Sequence, residues 1–264
     1  MSSKQREAIR EKAGKAVDRL CKMKDFSKTE PTEDLSYIAT NAEIDSEADK
    51  EKQRRIYENY FEHIARHGMV EVFEKIWKQL FQMEIFDERS KTLWKNLNFT
   101  LSIIWCGTDV KSLLVDRFLQ NGTYKLFIKA LKDPKLLTEN SKNFRWRTIL
   151  NGIFCTIQNI LDNAGGRQEM RDMNIIEALK PYLKVKSVLV RMLALETLMR
   201  LMDENENEMI CGNEETIKFL LGNLKNCMSS LDHKIAIEGV EFHSTDMMLT
   251  LNLLAVNETN KVGL

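Results

Sequence analysis

The chain has 264 residues with 39 basic and 39 acidic side chains, so its formal net charge is zero. A global electrostatic attraction to nucleic acid or to an anionic membrane is therefore not expected. Hydrophobic residues make up 43% of the chain, whereas prolines number three and glycines eleven. This composition argues against a turn-rich all-β protein and favours long helices.

The N-terminal region, residues 1–49, is predicted to be a basic helix followed by an acidic linker. Segment 3–24 carries eight basic residues against three acidic ones. It places five small or apolar residues on one helical face, namely Ile9, Ala13, Ala16, Val17 and Leu20. Segment 25–49 is acidic and contains Pro31, so we expect a linker with only a short helix at residues 34–40. Whether the basic helix folds back on the acidic linker, docks on the repeat array as a cap or stays a solvated leader is left open.

Residues 50–264 are predicted to form a repeat domain in which a short, a medium and a long helix recur. In each of four units, apolar residues lie four, five and nine positions after a starting residue, which puts them on one helical stripe. The starting residues are Gly68, Gly122, Asn174 and Glu215, at intervals of 54, 52 and 41 residues. Such recurrence is typical of stacked helical repeats. The predicted helices span 51–66, 69–83, 90–105, 110–120, 123–132, 143–162, 167–173, 175–184, 187–202, 208–211, 214–228 and 240–256, with a loop at 133–140.

The third unit resembles an armadillo repeat. In residues 167–183 a short polar helix leads through a turn to an apolar run. In the helix that follows, small and aliphatic residues occupy the positions where that family places its core, at Ala194, Leu195, Leu198 and Leu201. The resemblance implies an all-α fold, an α-solenoid in which three-helix repeats form a right-handed superhelix. HEAT-type arrays share such stripes, so another α-solenoid remains an alternative.

The resemblance implies a protein-interaction scaffold that binds a partner segment along a concave surface lined by the third helices. Family members that bind extended basic peptides resemble one another in an asparagine near the end of each third helix. Here Asn159 matches, but the equivalent positions hold Ile103, Arg200 and Leu253, so capture of nuclear-import-type peptides is not expected. The candidate partner-binding residues are Trp94, Asn98, Arg145, Trp146, Asn151, Asn159, Arg191, Arg200, His243 and Asn252.

Two other functions stay open. Residues 260–264 look like the opening of a further first helix, so we expect the array to be truncated within another repeat. The chain would then be a regulatory or autoinhibitory, ligand-sensing module of a larger signalling protein, for example one with a downstream TIR-type effector domain. The third hypothesis is nucleic-acid or lipid binding through the basic helix 3–24.

The sequence contains no pattern that points to catalysis or to a cofactor. His63 and His67 have a metal-ligand spacing of four, but no third ligand is evident, so we interpret them as solvated. The glycine pair in residues 163–167 lacks a phosphate-loop context and is interpreted as a turn. We therefore expect a non-enzymatic protein that uses neither a metal nor another cofactor.

The expected location is the cytoplasm, and the expected partner is a protein or a peptide segment rather than a nucleic acid or a membrane. The five cysteines form no CxxC pair, which favours reduced thiols. The N-terminus has no apolar secretory core, and no stretch approaches the roughly 20 apolar residues of a membrane span. Trp77, Trp105 and the methionines Met192, Met199 and Met202 are predicted to fill the core.

Overall fold

The computed structural model describes residues 2–42, 50–83, 86–87, 90–110, 112–138, 143–163, 165–202 and 214–255. This part of the chain is built mainly of α-helices, which confirms the predicted all-α class, with one two-stranded hairpin as an exception. The helices are α1 (Ser3–Lys22), α2 (Glu30–Ala42), α3 (Lys50–Arg66), α4 (Met69–Gln82), α5 (Lys91–Asp109), α6 (Leu113–Gln120), α7 (Tyr124–Leu131), α8 (Pro134–Leu137), α9 (Phe144–Asn163), α10 (Arg167–Asp172), α11 (Ile175–Leu179), α12 (Val188–Leu201), α13 (Glu214–Met228) and α14 (Ser244–Ala255).

The chain folds into two compact units, Met1–Met173 and Asn174–Leu264. Within the first unit, helices at equivalent places in successive groups pack side by side. Helix α1 contacts α4, α2 contacts α5 and α5 contacts α9, while α3 contacts α6. The first unit therefore consists of layers, α1–α2, α3–α4–α5 and α6–α7–α9, in which each helix lies against its counterpart in the next layer.

Hydrogen bonds between these layers recur at a nearly constant separation in sequence. The Glu74 carboxylate accepts a hydrogen bond from Thr123 at 2.6 Å, across 49 residues. Lys135 donates to the carbonyl of Met83 at 3.0 Å, across 52 residues. In the first layer, Lys75 donates to the carbonyl of Cys21 at 2.6 Å, across 54 residues. These separations of 49, 52 and 54 residues lie close to the predicted intervals of 54 and 52, and they include α1, which was predicted to lie outside the repeat.

The starting residues of the first three predicted units share one backbone conformation. Gly68, Gly122 and Asn174 have φ values of 99°, 67° and 58°. This left-handed conformation costs glycine little, and asparagine tolerates it better than most residues do. Each of these residues lies at the turn into the helix that carries the apolar stripe. The fourth, Glu215, lies inside α13 instead.

An aromatic cluster forms the centre of the seam between the second and third layers. The Phe127 ring of α7 lies 5.7 Å from Phe73 and 5.0 Å from Trp77, both on α4. Phe118 of α6 completes the cluster, 5.4 Å from Phe127 and 6.0 Å from Phe73. All four side chains are buried. Because every ring touches a ring of another helix, no single helix of this seam buries its apolar stripe alone.

More of the N-terminal region is helical than its composition predicted. Helix α1 starts with a capping box, in which Ser2 and Gln5 exchange hydrogen bonds. Its side chains Ala13, Ala16, Val17 and Leu20 are buried, and α1 contacts α2 as well as α3 and α4, so the solvated leader is wrong. Helix α2 is longer than the predicted 34–40 because Pro31 lies in its first turn, where a missing N–H costs nothing. Residues 43–49 of the predicted linker lie outside the described residues.

A second correction concerns the predicted loop at residues 133–140. The carboxylate of Asp133 accepts a hydrogen bond from the amide of Lys135 at 2.9 Å, and Pro134 occupies the first helical position. These two features nucleate the four-residue helix α8. Its Leu136 carbonyl accepts a hydrogen bond from the Trp146 indole at 2.9 Å, which ties α8 to α9.

The second unit contains the hairpin. A 3-10 helix, Lys180–Lys184, follows α11, and strands β1 (Lys234–Ile237) and β2 (Val240–His243) pair antiparallel between α13 and α14. The predicted helix 240–256 is therefore wrong in its first turn, and the helix starts at Ser244. Glu238 and Gly239 form the turn with φ values of 51° and 89°, as a two-residue hairpin of this twist requires.

A side chain of the hairpin turn also caps α12, a helix that lies earlier in the chain. The Glu238 carboxylate accepts hydrogen bonds from the Ser187 hydroxyl at 2.9 Å and from the amide of Val188 at 2.8 Å. Amides at the N-terminus of a helix lack partners within the helix, so the carboxylate caps α12.

The methionines predicted as core, Met192, Met199 and Met202, are buried as expected. None of the described helices combines the length and the apolar composition that crossing a membrane requires.

Candidate functional site

Helices α5 and α9 run parallel and in contact along their length. At their N-terminal ends, the rings of Trp94 and Phe144 meet edge to face with centroids 6.4 Å apart. At their C-terminal ends, the Asn163 amide donates to the carbonyl of Thr108 at 3.0 Å. Between these points a Cβ at Gly152 would lie 3.1 Å from the side chain of Leu101. The missing side chain at Gly152 thus allows the two helices to approach closely.

Two stripes of side chains border this contact on its outer side, and we call them together the α5–α9 face. The spacing of three and four residues places each stripe on one side of its helix. The α5 stripe consists of Trp94, Asn98, Ser102 and Trp105. The α9 stripe consists of Phe144, Thr148, Asn151, Cys155 and Asn159. Four of the ten predicted binding residues, Trp94, Asn98, Asn151 and Asn159, are brought together here.

An aromatic group with a fixed cation marks the N-terminal end of the face. The Phe144 side chain is 62% exposed, whereas Trp94 beneath it is 8% exposed. The guanidinium of Arg145 lies 5.8 Å from the centroid of the Trp94 ring and donates to the Ser90 hydroxyl at 3.0 Å and to the Asp87 carbonyl at 2.9 Å. Three partners hold this cation in place, so little side-chain freedom remains to be lost when a ligand binds.

The middle of the face is polar. Asn98 and Asn151 are half-buried, and the Asn151 carbonyl oxygen accepts a hydrogen bond from the Cys155 thiol at 3.3 Å. A side-chain amide offers both donors and an acceptor, which matches the N–H and C=O groups of an extended backbone.

The C-terminal end of the face carries Trp105, whose side chain is 38% exposed. The prediction that Trp105 fills the core is therefore wrong, because its position on α5 lies beside Asn159 at the outer edge of the helix pair. The Asn159 amide donates to the Trp105 carbonyl at 3.2 Å and to the Thr108 hydroxyl at 3.3 Å. Since these bonds join α9 to α5, Asn159 has its carbonyl oxygen rather than its N–H groups to offer to a partner.

Trp146 lies on α9 but not on its surface. The side chain is fully buried, and its indole N–H is bonded to the Leu136 carbonyl at 2.9 Å. Trp146 was predicted to line the groove because tryptophan is common at interfaces, but the adjacent Phe144 takes the exposed position. Phe144 and Trp105 are the two aromatic residues of the face that sequence reasoning missed.

The four remaining candidates lie in the second unit, on three elements. On α12, the Arg191 guanidinium lies 4.4 Å from the centroid of the Phe219 ring, and Arg200 donates to the Glu196 carbonyl at 3.3 Å. His243 is exposed on strand β2 rather than on a third helix, and Asn252 is exposed on α14. The two arginines are thus held within the unit, and His243 and Asn252 are exposed.

A second candidate site, which the sequence did not indicate, is a cavity of about 210 Å³ between α1, α2 and α3. Arg6 and Arg10 contribute to its wall from α1, Asn41 from α2, and Tyr57 and Tyr60 from α3. The Tyr60 hydroxyl donates to the buried carbonyl of Ile38 at 2.9 Å, and burial raises the pKa of this phenol far above its usual value. Tyr60 is therefore a fixed and uncharged part of the wall.

The histidine pair lies against α1 rather than in solvent, which corrects the prediction. The rings of His63 and His67 lie 4.7 Å apart, and a Cβ at Gly14 of α1 would lie 2.6 and 2.7 Å from their Nε2 atoms. His67 Nδ1 lies 2.8 Å from the Asp18 carboxylate, while burial and the neighbouring His67 lower the pKa of His63. Among the described residues, no group of three or more histidine, cysteine or acidic side chains is placed to hold a metal ion.

The glycine pair before α10 forms the predicted turn. Gly165 and Gly166 have φ values of 80° and 78°, and a Cβ at Gly166 would lie 3.0 Å from the Leu119 side chain. Backbone conformation and close packing both account for glycine here.

Comparisons with protein-family models, with curated proteins and with solved structures find no match to this chain.

Proposed function

We propose that this protein is an interaction scaffold that binds an extended partner segment along the α5–α9 face. The layers of the first unit support an armadillo-like α-solenoid, because equivalent helices pack side by side and contacts recur about every 50 residues. In such an array α2, α5 and α9 are the third helices, which line the concave surface.

One observation carries the proposal: two exposed aromatic side chains lie at opposite ends of a parallel helix pair, with side-chain amides between them. The Phe144 ring lies against Trp94 of α5, so the distance between the two ends can be measured along α5. Trp94 and Trp105 are 11 positions apart, which corresponds to about 16 Å along a helix at 1.5 Å per residue. An extended peptide of about five residues spans this distance at roughly 3.3 Å per residue. Its apolar side chains would contact Phe144 and Trp105, and its backbone would reach Asn98 and Asn151.

The chemistry of the face favours binding over catalysis. Aromatic residues and arginine are enriched at the centres of protein interfaces, and amides bind backbone groups without selecting side chains. Since α5 and α9 are held by contacts at both ends, the protein loses little freedom on binding. We therefore propose a non-enzymatic cytoplasmic protein whose partner is a peptide segment of another protein.

The test is selection of peptides from a displayed random library by the intact chain, followed by affinity measurement with variants. We expect Trp105→Ala and Phe144→Ala each to weaken binding of the selected peptides by roughly tenfold or more, as truncation of an interface anchor does. Leu137→Ala is the matched control, because Leu137 is 39% exposed on α8, outside the face. Equal affinity of all three variants for the selected peptides would exclude this surface.

A second function is favoured by the cavity between α1, α2 and α3. Pockets lined by arginine and tyrosine are suited to small charged ligands. The chain would then be a regulatory, ligand-sensing module of a larger signalling protein, in which ligand binding changes how α1 packs on the layers behind it.

A further inference from the structure

A pocket of about 300 Å³ lies between α4 and α7, on the side chains that border the aromatic seam. Its apolar wall consists of Trp77, Phe81, Leu126 and Ala130. The rings of Trp77 and Phe81 are stacked, with centroids 4.7 Å apart. Phe81 and Leu126 are half-buried, so these two side chains offer apolar surface to a molecule that enters the pocket.

One lysine on the rim of the pocket has no carboxylate partner within the described part of the chain. Lys78 pairs with Glu74 at 3.1 Å, whereas Lys129 is exposed and forms no such pair. Asp133 lies four positions after Lys129, but its carboxylate caps α8 and accepts a hydrogen bond from the amide of Lys135 at 2.9 Å. The positive charge of Lys129 is therefore open to a carboxylate from outside the chain.

The two helices around the pocket offer no other acid to neutralise this charge. Helix α7 contains two lysines and no acidic residue. Both acids of α4 are bound to the α6–α7 turn, where Glu71 accepts from the Asn121 amide at 3.2 Å and Glu74 accepts from the Thr123 hydroxyl at 2.6 Å. Because the net charge of the whole chain is zero, an acidic partner would be attracted by this local charge and not by a global field.

The shape of the pocket indicates the kind of occupant. Its rim residues Lys78, Gln82 and Lys129 are exposed, so the pocket is open to solvent on one side. Small-molecule sites have volumes of roughly 300–1,000 Å³ and bury roughly 70–90% of their ligand. A pocket at the lower limit of that range, with one side open, suits a single side chain whose backbone stays outside.

We propose that this pocket binds an acidic segment of a partner protein, which places one large apolar side chain against Phe81 and Leu126 and a neighbouring carboxylate beside Lys129. Lys129 lies three positions after Leu126, so the cation and the apolar wall lie on the same side of α7. The pocket shares no residue with the α5–α9 face, and the inference does not depend on peptide binding there.

The test is a fluorescence-polarisation titration of short labelled peptides with the intact chain at about 0.15 M salt, where general surface attraction is screened. The probe has a central phenylalanine between two pairs of glutamates. In one comparison peptide serine replaces the phenylalanine, and in the other lysines replace the glutamates. We expect saturable binding of the probe and at least tenfold weaker binding of both comparison peptides. Absence of saturable probe binding at millimolar concentration, or equal affinity for either comparison peptide, would overturn the proposal.

A pair of charge reversals separates the pocket from general surface charge. Lys129→Glu places a carboxylate opposite that of the probe and should weaken binding at least tenfold. Lys15→Glu is the matched control, because it reverses the charge of an exposed lysine on α1 and should leave the affinity unchanged. Equal affinity of these two variants for the probe would refute the site.

Two further variants locate the bound probe. Phe81→Ala removes part of the apolar wall and should also weaken probe binding, whereas Trp105→Ala on the α5–α9 face should not. If Phe81→Ala fails to fold, Lys129→Glu decides, since residue 129 is exposed. Weaker binding in Trp105→Ala together with unchanged binding in Lys129→Glu would place the probe on the α5–α9 face and refute this proposal, but not the proposed function.

Discussion

The seam between the second and third layers makes a quantitative prediction at Phe127. Its side chain is fully buried and contacts Phe73, Trp77 and Phe118 at ring separations of 5.7, 5.0 and 5.4 Å. Replacement by alanine removes the apolar area and leaves a cavity between three helices, which costs about 3–5 kcal/mol for buried phenylalanine. Because the Phe127 ring packs against three other aromatic rings, we expect a value of about 4 kcal/mol.

Phe144→Ala is the matched control, because the same atoms are removed from a side chain that is 62% exposed. We expect it to cost less than about 1 kcal/mol. Urea unfolding of both variants, followed by circular dichroism and by tryptophan fluorescence, measures the difference. Because the chain has two compact units, the two probes must be fitted separately. Equal costs for Phe127→Ala and Phe144→Ala would refute the idea that this cluster holds the layers together.

Two further predictions concern α5 and α3. Asn96 is buried, donates a hydrogen bond to the Phe26 carbonyl at 2.8 Å and accepts one from the Thr32 hydroxyl at 2.7 Å. Because Asn96→Ala would leave both partner groups unpaired, we expect it to lower the free energy of unfolding in urea by about 1–3 kcal/mol. The lowered pKa of His63 means that the unfolded chain binds more protons below about pH 6.5, so stability that is complete above that pH should fall as the pH drops towards 5. In His63→Gln this part of the loss should disappear, as thermal unfolding between pH 7 and 5 would show.

Both of these predictions have matched controls. Asn98→Ala alters the same helix at a half-buried amide and should change stability by less than about 0.5 kcal/mol. His233→Gln removes an exposed histidine and should keep the pH dependence of the natural chain. A flat pH profile in the natural chain, or an Asn96→Ala variant as stable as Asn98→Ala, would contradict the packing described for these residues.

The repeat could be predicted from sequence because its signal is local. A stripe at helical spacing identifies the buried side of a helix. The residues of this stripe in the first of the four predicted repeats, Val72, Phe73 and Trp77, are buried. The starting residues Gly68 and Gly122 were found from the same register, and their positive φ explains why glycine recurs there.

Elements whose composition conflicts with their packing were misjudged. In the acidic segment 25–49 only residues 34–40 were predicted to be helical, although α2 spans Glu30–Ala42 and buries Pro31 and Ala42 as well. The hairpin was missed because β2 continues directly into α14, so that its residues extended a helical pattern. The usable signal was alternation on both sides of Glu238 and Gly239, from Ile235 to Phe242.

The two candidate sites differ in how far sequence could locate them. Asn98 and Asn151 were identified because third helices are recognisable by length, whereas the exposure of Trp105 and Phe144 depends on where α5 and α9 touch. The cavity beside Arg10 exists only because α1 packs on α2 and α3. A charged residue on a basic helix is solvated on average, and no local pattern shows that a neighbouring helix covers it.

The contacts between layers explain how a binding face can be rigid without a continuous helix beneath it. Apolar packing is non-directional, so an aromatic seam such as that of Phe73 and Phe127 alone would allow neighbouring layers to slide. Hydrogen bonds at the layer edges fix the register, as in Glu74 with Thr123 and in Asn159 with the Trp105 carbonyl. It follows that the separation between Phe144 and Trp105, and hence the length of segment proposed to fit between them, depends on polar contacts between the layers as well as on the two aromatic residues.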